Sequence, residues 1–336
     1  MAEISIRVDG AAGRITLQRP AALNALTAAM IPMISEALDA WAENDAVTAV
    51  IFDAEGDKAF CAGGDIADLY AAGRAGDFDF GRKFWADEYR LNAQIAEFPK
   101  PTFSFLQGFT MGGGVGIGCH CRHRIVGDTS QIAMPECGIG LIPDVGGSLI
   151  LATAPGHLGE YLGLTGARMG PGAAIHAGFA DHYLPEAEWP ALKAAIIAGD
   201  LSVPERDAPP HDLPAEIDAM FDAPTLGDLV TRLDATDTAF ANHARKALMR
   251  ASPLSMAAAL LLIRSVRQTP AMRSALTQEY RFTWRASEEG DFLEGIRAAI
   301  IDKDRTPKWR HSLTNVTEAD AIAMLAPVAQ DLTWET

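Results

Sequence analysis

Apolar and polar positions alternate almost from the start of the chain. Ile4, Ile6 and Val8 are separated by Ser5 and Arg7, the two-residue period of a half-buried strand. Arg14–Leu17 reads as a second strand, and D-G-A-A-G between them predicts a hairpin. The period then lengthens. Thr27 is placed to cap a helix running to about Glu43, with Met30, Ile34, Leu38 and Trp41 at helical spacing. Val47–Phe52 is a short apolar strand, followed by the glycine turn C-A-G-G-D at Cys61–Asp65 and a helix start through Leu69. Residues Asp77–Phe98 give a long amphipathic helix whose stripe holds Phe80, Phe84, Leu91, Ile95 and Phe98. Glu88 falls on that same stripe, where a carboxylate is either a ligand contact or a paired structural charge.

Further on, Thr102–Leu106 predicts a strand, and Gly112-Gly113-Gly114 behind it opens a helix. Arg124–Val126, Gln131–Ala133 and Phe179–Leu184 read as strands, and Ser148–Ala152, Leu158–Leu164 and Gly172–Ala177 as short helices. Strands alternating with helices argue for an α/β core with crossover connections. V-P-E-R-D-A-P-P-H-D-L-P at 203–214 carries four prolines and reads as a linker; helical periodicity dominates from Ala215 on. The expected organisation is a core over 1–202, a linker over 203–214 and a helical C-terminal region over 215–336.

Composition narrows the chemistry. With 336 residues, 49% of them hydrophobic, the chain can bury a substantial core. Its net charge of −16 argues against a nucleic-acid partner. Four cysteines are too few for a disulfide framework and point to a reducing compartment. No targeting segment precedes the first strand, so a cytoplasmic location is expected. The longest aliphatic run, Ala257–Ile263, is too short to span a bilayer, and no membrane partner is expected.

The candidate chemistry lies in two glycine turns and two acids. A glycine lets a ligand atom approach the backbone, and free N–H groups at a helix start face an incoming negative charge. Two such turns can stabilise one oxyanion; tight packing of helix on sheet uses glycines equally well. Glu136 and Asp144 follow Pro135 and Pro143 amid apolar neighbours. A setting of that kind raises a carboxyl pKa and suits proton transfer or nucleophilic attack. There is no G-x-x-x-x-G-K-[ST], no G-x-G-x-x-G, no G-x-S-x-G and no H-E-x-x-H. Cys119-His120-Cys121-Arg122-His123 is too compact to converge on a metal from a helix.

In combination, F-C-A-G-G-D-I, G-F-T-M-G-G-G-V-G-I-G and A-M-P-E-C-G-I-G-L-I-P-D-V-G-G resemble the crotonase (enoyl-CoA hydratase/isomerase) superfamily. The likeness extends to E-Y-R-L-N at Glu88–Asn92, S-P-L-S at Ser252–Ser255, E-Y-R at Glu279–Arg281 and the run Asp291–Trp309, which resemble its hydrolase branch. It implies a spiral of ββα units with a helical C-terminal region, which completes a site for an acyl-CoA thioester. It further implies an oxyanion hole from the N–H groups of Gly64 and Gly113, catalytic roles for Glu136 and Asp144, and a substrate contact from Glu88. Gly63, Asp65 and Ile66 would lie along the CoA moiety, and Gly112 would also contact the substrate. Neither a metal nor a redox cofactor is implied, coenzyme A being part of the substrate; trimers or hexamers are. Hydratases of the superfamily carry a second glutamate just after the triple glycine, where this chain has Gly116, and glycine where it has Asp144. The pattern therefore favours hydrolysis of a short β-hydroxyacyl thioester over hydration or isomerisation, and the presence of both Glu136 and Asp144 counts against a catalytically inactive binding protein of the same fold.

Overall fold

The hairpin is tighter than D-G-A-A-G suggests. β1 (Ile4–Asp9) pairs antiparallel with β2 (Ala12–Leu17) from Ile4↔Leu17 to Asp9↔Ala12, and Gly10 takes the turn at φ +55°. The computed structural model describes residues 2–334. The remaining strands are β3 (Ala49–Ala54), β4 (Ala59–Cys61), β5 (Thr102–Phe105), β6 (Phe109–Met111), β7 (His123–Val126), β8 (Gln131–Ala133) and β9 (His182–Tyr183). They form a sheet of order β1-β2-β3-β5-β7-β9 and a smaller one of order β4-β6-β8. Every pairing after the hairpin is parallel, as crossover connections require.

The chain divides into two compact units, each assembled from separate stretches. The first comprises Met1–Asp65, Asp87–Ala133 and Arg168–Asp212 and holds both sheets. On one face of its larger sheet Ile51, Phe103, Phe105 and Ile125 pack under Trp189, Leu192 and Ile196 of the helix Trp189–Ile197. The helix Met30–Ala42 buries Met30, Ile34, Leu38 and Trp41, the stripe the spacing predicts. It starts later than expected because Thr27 is not its cap. The Thr27 hydroxyl donates to Glu3 Oε2 at 2.9 Å, and Ala29 occupies the cap position. In place of the strand expected over Phe179–Leu184, only His182–Tyr183 pairs in the sheet.

The second unit comprises Ile66–Ala86, Met134–Ala167 and Leu213–Thr336. Residues 201–214 contain no helix or strand. Its longest helix, Pro253–Gln268, starts with Pro253 in its first turn and the Ser252 hydroxyl accepting from Ser255 N–H. It buries nearly every residue of its first half and packs on the helices Gly147–Thr153, Leu158–Thr165 and Glu318–Leu325. Near its end Arg267 makes two hydrogen bonds of 2.6 and 2.7 Å to the fully buried Glu160 carboxylate. Burial pushes the Glu160 pKa up, but Arg267 outweighs it and the net shift is downward. The last stretch is also folded: Thr317 and Asp320 form a capping box for Glu318–Leu325, and Arg285 donates to the Met324 and Ala326 carbonyls.

Removing Arg267 takes away the two shortest hydrogen bonds of the buried Glu160 carboxylate and leaves it Arg264 at 3.6 Å and His157 at 3.2 Å. Arg267→Met is expected to destabilise the protein by about 3 kcal/mol, read as a shift in the urea unfolding midpoint. All four cysteines are free and buried. Burial lifts Cys61, Cys119 and Cys121 to about 12 and Cys137 upward as well. An aromatic disulfide reagent at neutral pH is expected to titrate no thiol in the native protein and all four in denaturant.

Candidate active site

In the first unit, the turn after β4 is held by chain segments far away in sequence. The Asn24 amide donates to the Glu55 and Ala59 carbonyls, each at 2.9 Å. Ala62 N–H donates to Leu23 C=O, Leu26 N–H to Gly63 C=O and Asp65 N–H to Leu26 C=O, at 3.0, 2.9 and 2.8 Å. This is a parallel bridge between Leu26 and Gly64, so the Gly64 N–H faces away from Leu26. Gly63 sits at φ +116°, open only to glycine. Asp65 is tied down by Arg19 at 2.8 Å.

The triple glycine follows β6, and each position has its own reason. Gly112 caps the helix Gly113–Gly118 at φ +49°, ψ −122°, a conformation that side chains avoid. A Cβ on Gly114 would lie 2.1 Å from the Cys61 carbonyl oxygen. A Cβ on Gly113 would lie 2.7 Å from Glu88 Oε1 and 3.3 Å from Gly64 N. As the first residue of its helix, Gly113 has an N–H with no acceptor inside the helix. Gly64, Gly113 and the buried Glu88 thus converge on one small region, next to a glycine turn at Gly63. One helical turn after Glu88, the fully buried Asn92 amide finds no hydrogen-bond partner among the described residues. A buried amide of that kind marks a polar contact still to be made.

In the second unit, Glu136 opens a single 3-10 turn, Glu136–Ile139, and is 5% exposed. C-terminal residues build its surroundings. Ser252 N–H donates to the Cys137 carbonyl at 2.9 Å, and the Ser252 hydroxyl to Asp291 at 2.6 Å. A Cβ on Gly295 would lie 2.1 Å from the Ile139 carbonyl oxygen. Asp144, 4% exposed, precedes two residues in the left-handed region, Val145 at φ +54° and Gly146 at φ +77°. For a β-branched residue that costs on the order of 1–3 kcal/mol and must be enforced by the surroundings. Enforcement comes from Glu279 on the helix Met272–Ala286. Its carboxylate accepts from Gly146 N–H at 2.8 Å, from Ser148 N–H at 3.1 Å and from the Ser148 hydroxyl. Burial lifts Glu279 to about 8; its hydrogen bonds act downward, and the charge of Asp144 adds to the rise.

Glu279 is the residue that reading the sequence for chemistry passes over, although its signal matches that of Glu88. Leu276, Glu279, Thr283 and Ala286 lie at spacings of three and four on one buried stripe. Ile66 begins the helix Ile66–Arg74 and belongs to the second unit. Among the described residues no three His, Cys, Asp or Glu side chains are grouped to hold a metal. Cys119 and Cys121 are buried, and the His123 ring stacks on Phe103 at 4.5 Å. No helix among the described residues is long and apolar enough to cross a membrane.

Residues 12–325 match the model of an enoyl-CoA hydratase/isomerase family. The chain is 38% identical to the mitochondrial 3-hydroxyisobutyryl-CoA hydrolase of Rattus norvegicus, over 95% of this chain and 87% of that one. With the Gallus gallus enzyme of the same name it shares 34% identity, over 92% and 84%. Among solved structures, an enoyl-CoA hydratase from Rhodobacter sphaeroides superposes with a TM-score of 0.97 at 57% identity, covering 99% of this chain and all of that one. A carnitinyl-CoA dehydratase from Mycobacterium thermoresistibile superposes at 0.95 with 39% identity, covering 100% and 99%. These likenesses span both units, and the chain belongs to the enoyl-CoA hydratase/isomerase (crotonase) family, with its α/β fold of ββα units and a helical C-terminal region.

Proposed function

We propose that this enzyme hydrolyses the thioester of a short β-hydroxyacyl-CoA, 3-hydroxyisobutyryl-CoA, to the free hydroxy acid and CoA, a step of valine breakdown. One observation carries the reading. The helix behind the triple glycine has no acid, its fourth residue being the buried Gly116, whereas Asp144 is a buried acid on an enforced turn. Hydration of a double bond in this family uses a glutamate at the former place; the hydrolase pattern has an aspartate at the latter. The names of the curated relatives support the same reading.

In the proposed mechanism the N–H groups of Gly64 and Gly113 bind the thioester oxygen and stabilise the charge that develops on it. A donor of this kind is worth roughly 3–4 kcal/mol in the transition state. The Glu136 carboxylate drives attack on the thioester carbon, directly as nucleophile or by taking a proton from water. On the first route a C–O bond to Glu136 forms and the C–S bond breaks; water then cleaves the resulting anhydride to the hydroxy acid and restores Glu136. On the second the C–O bond forms to water itself. On both, the electron pair of the C–S bond leaves on sulfur. Asp144 positions the water or passes a proton to the departing thiolate. Glu88 and the glycines around it hold the acyl group, with Glu88 contacting its hydroxyl. Gly63, Asp65 and Ile66 line the path of the CoA moiety, and Gly112 contacts the substrate beside them. Coenzyme A enters and leaves as part of the substrate.

A second reading, hydration of an enoyl-CoA, is favoured by the name of the 57% identical structure. Free-thiol release and loss of enoyl absorbance distinguish the two when 3-hydroxyisobutyryl-CoA and crotonyl-CoA are offered side by side. Thiol release from the former, with crotonyl-CoA unconsumed, is the expected result. Consumption of crotonyl-CoA with no thiol released from either would replace the hydrolase reading with the hydratase one. Glu136→Gln and Asp144→Asn are each expected to lower kcat by about 10²–10⁴-fold. Gly113→Ala, whose methyl would meet Glu88 and the Gly64 N–H, is expected to lower kcat/KM by about 10²-fold or more. Circular dichroism should show all three folded.

A further inference from the structure

We propose that Glu279 is the positioning residue for Asp144: by accepting from Gly146 N–H and Ser148 N–H it holds the left-handed Val145–Gly146 turn on which the aspartate is mounted. This goes beyond the proposed function but rests on it in one respect, that Asp144 takes part in the chemistry.

The geometry distinguishes this role from ordinary helix capping. A carboxylate that merely caps the helix Gly147–Thr153 would serve N–H groups inside its first turn. Glu279 serves Ser148 in that turn, but its other oxygen takes the Gly146 N–H at 2.8 Å. That N–H belongs to the peptide joining Val145 to Gly146. Its direction is set by the torsions on either side of it, on residues with φ of +54° and +77°. Valine disfavours such a φ, so the turn relaxes unless something holds that peptide plane. Asp144 is the residue immediately before it, and its carbonyl accepts from Gly147 N–H at 2.7 Å, closing the same turn. A relaxed Val145 would therefore re-aim the Asp144 side chain.

Glu279 reaches this peptide from a distant part of the sequence, on a helix whose buried stripe is otherwise apolar or hydroxylic. Ser148 supports it twice, through its N–H and its hydroxyl. Glu279 is fully buried, and burial of a carboxyl among hydrocarbon is unfavourable unless its oxygens are used. Here one oxygen takes the Gly146 N–H of the Asp144 turn and the other takes the Ser148 N–H and hydroxyl two residues on.

The test uses Glu279→Gln, which keeps the shape but aims an NH₂ at one of the two N–H donors. The expected result is a fall in kcat of about 10- to 100-fold, with KM changed by less than about twofold. Faster amide hydrogen exchange is expected in the segment 141–150. Adding Val145→Gly, which accepts the left-handed φ without strain, is expected to bring kcat back to within about threefold of Val145→Gly alone. A folded Glu279→Gln protein with wild-type kcat and wild-type exchange overturns the proposal. So does a loss of kcat with unchanged exchange and no rescue by glycine. If Glu279→Gln does not fold, Glu279→Asp, which withdraws the carboxylate by one methylene, must show the same pattern of kcat loss, faster exchange and glycine rescue. If the wild-type protein releases no thiol from any acyl-CoA, the hydrolase reading falls; the exchange comparison then decides by itself whether Glu279 holds the turn.

Discussion

At Gly113 a side chain would press on a carboxylate and on a backbone amide at once, and three segments of the first unit meet at that point. The space a methyl would need is bounded by the Glu88 carboxylate and the Gly64 amide. To bring Gly64 there, the turn after β4 pairs with Leu23–Leu26 rather than with a neighbouring strand. To bring Gly113 there, β6 runs parallel to β4, Cys61 beside Thr110, and Gly114 leaves space for the Cys61 carbonyl. An added carbon at Gly113 presses first on the Glu88 carboxylate and then on the Gly64 amide, whereas one at Gly114 meets the Cys61 carbonyl, which is backbone and cannot rotate away.

The acids of the second unit obey a different rule. Glu136 and Asp144 are held on turns, and turns carry little intrinsic preference of their own. Their geometry is bought with buried polar groups from the C-terminal third: Ser252 and Asp291 for the first, Glu279 for the second. Buried polar groups of this kind contribute little net stability once desolvation is counted. What they supply is a single backbone conformation, since every alternative leaves a carboxylate or an N–H without a partner.

Much of this was legible in the sequence, and the reasons are local. The hairpin, the helix stripe of Met30–Trp41 and the buried position of Glu88 all follow from a period that the fold respects. Strands β4 and β6 have three residues each, too few to show a period, and they were hidden in what reads as glycine turn. Thr27 looks like a cap, but its hydroxyl donates to Glu3, and sequence spacing carries no record of that. The roles of the three glycines separate only in three dimensions, because one is required by φ and two by approach. Glu279 stood in the E-Y-R fragment of the family likeness with no role attached; only its hydrogen bonds connect it to Gly146 and Ser148, more than a hundred residues earlier.

Family membership alone leaves the reaction open, because one fold hosts several acyl-CoA chemistries. The distinguishing variable is where the carboxylates stand. Gly116 lies in the glycine helix, fully buried, its N–H committed to the Gly112 carbonyl at 3.1 Å. An acid is therefore missing from the rigid element that presents the Gly113 amide. On the proposed reading, proton chemistry falls to Glu136 and Asp144 alone, on turns whose shape the C-terminal helices dictate. The C-terminal region is then part of the catalytic apparatus, and changes around Ser252, Glu279 and Asp291 should alter turnover before they alter substrate binding.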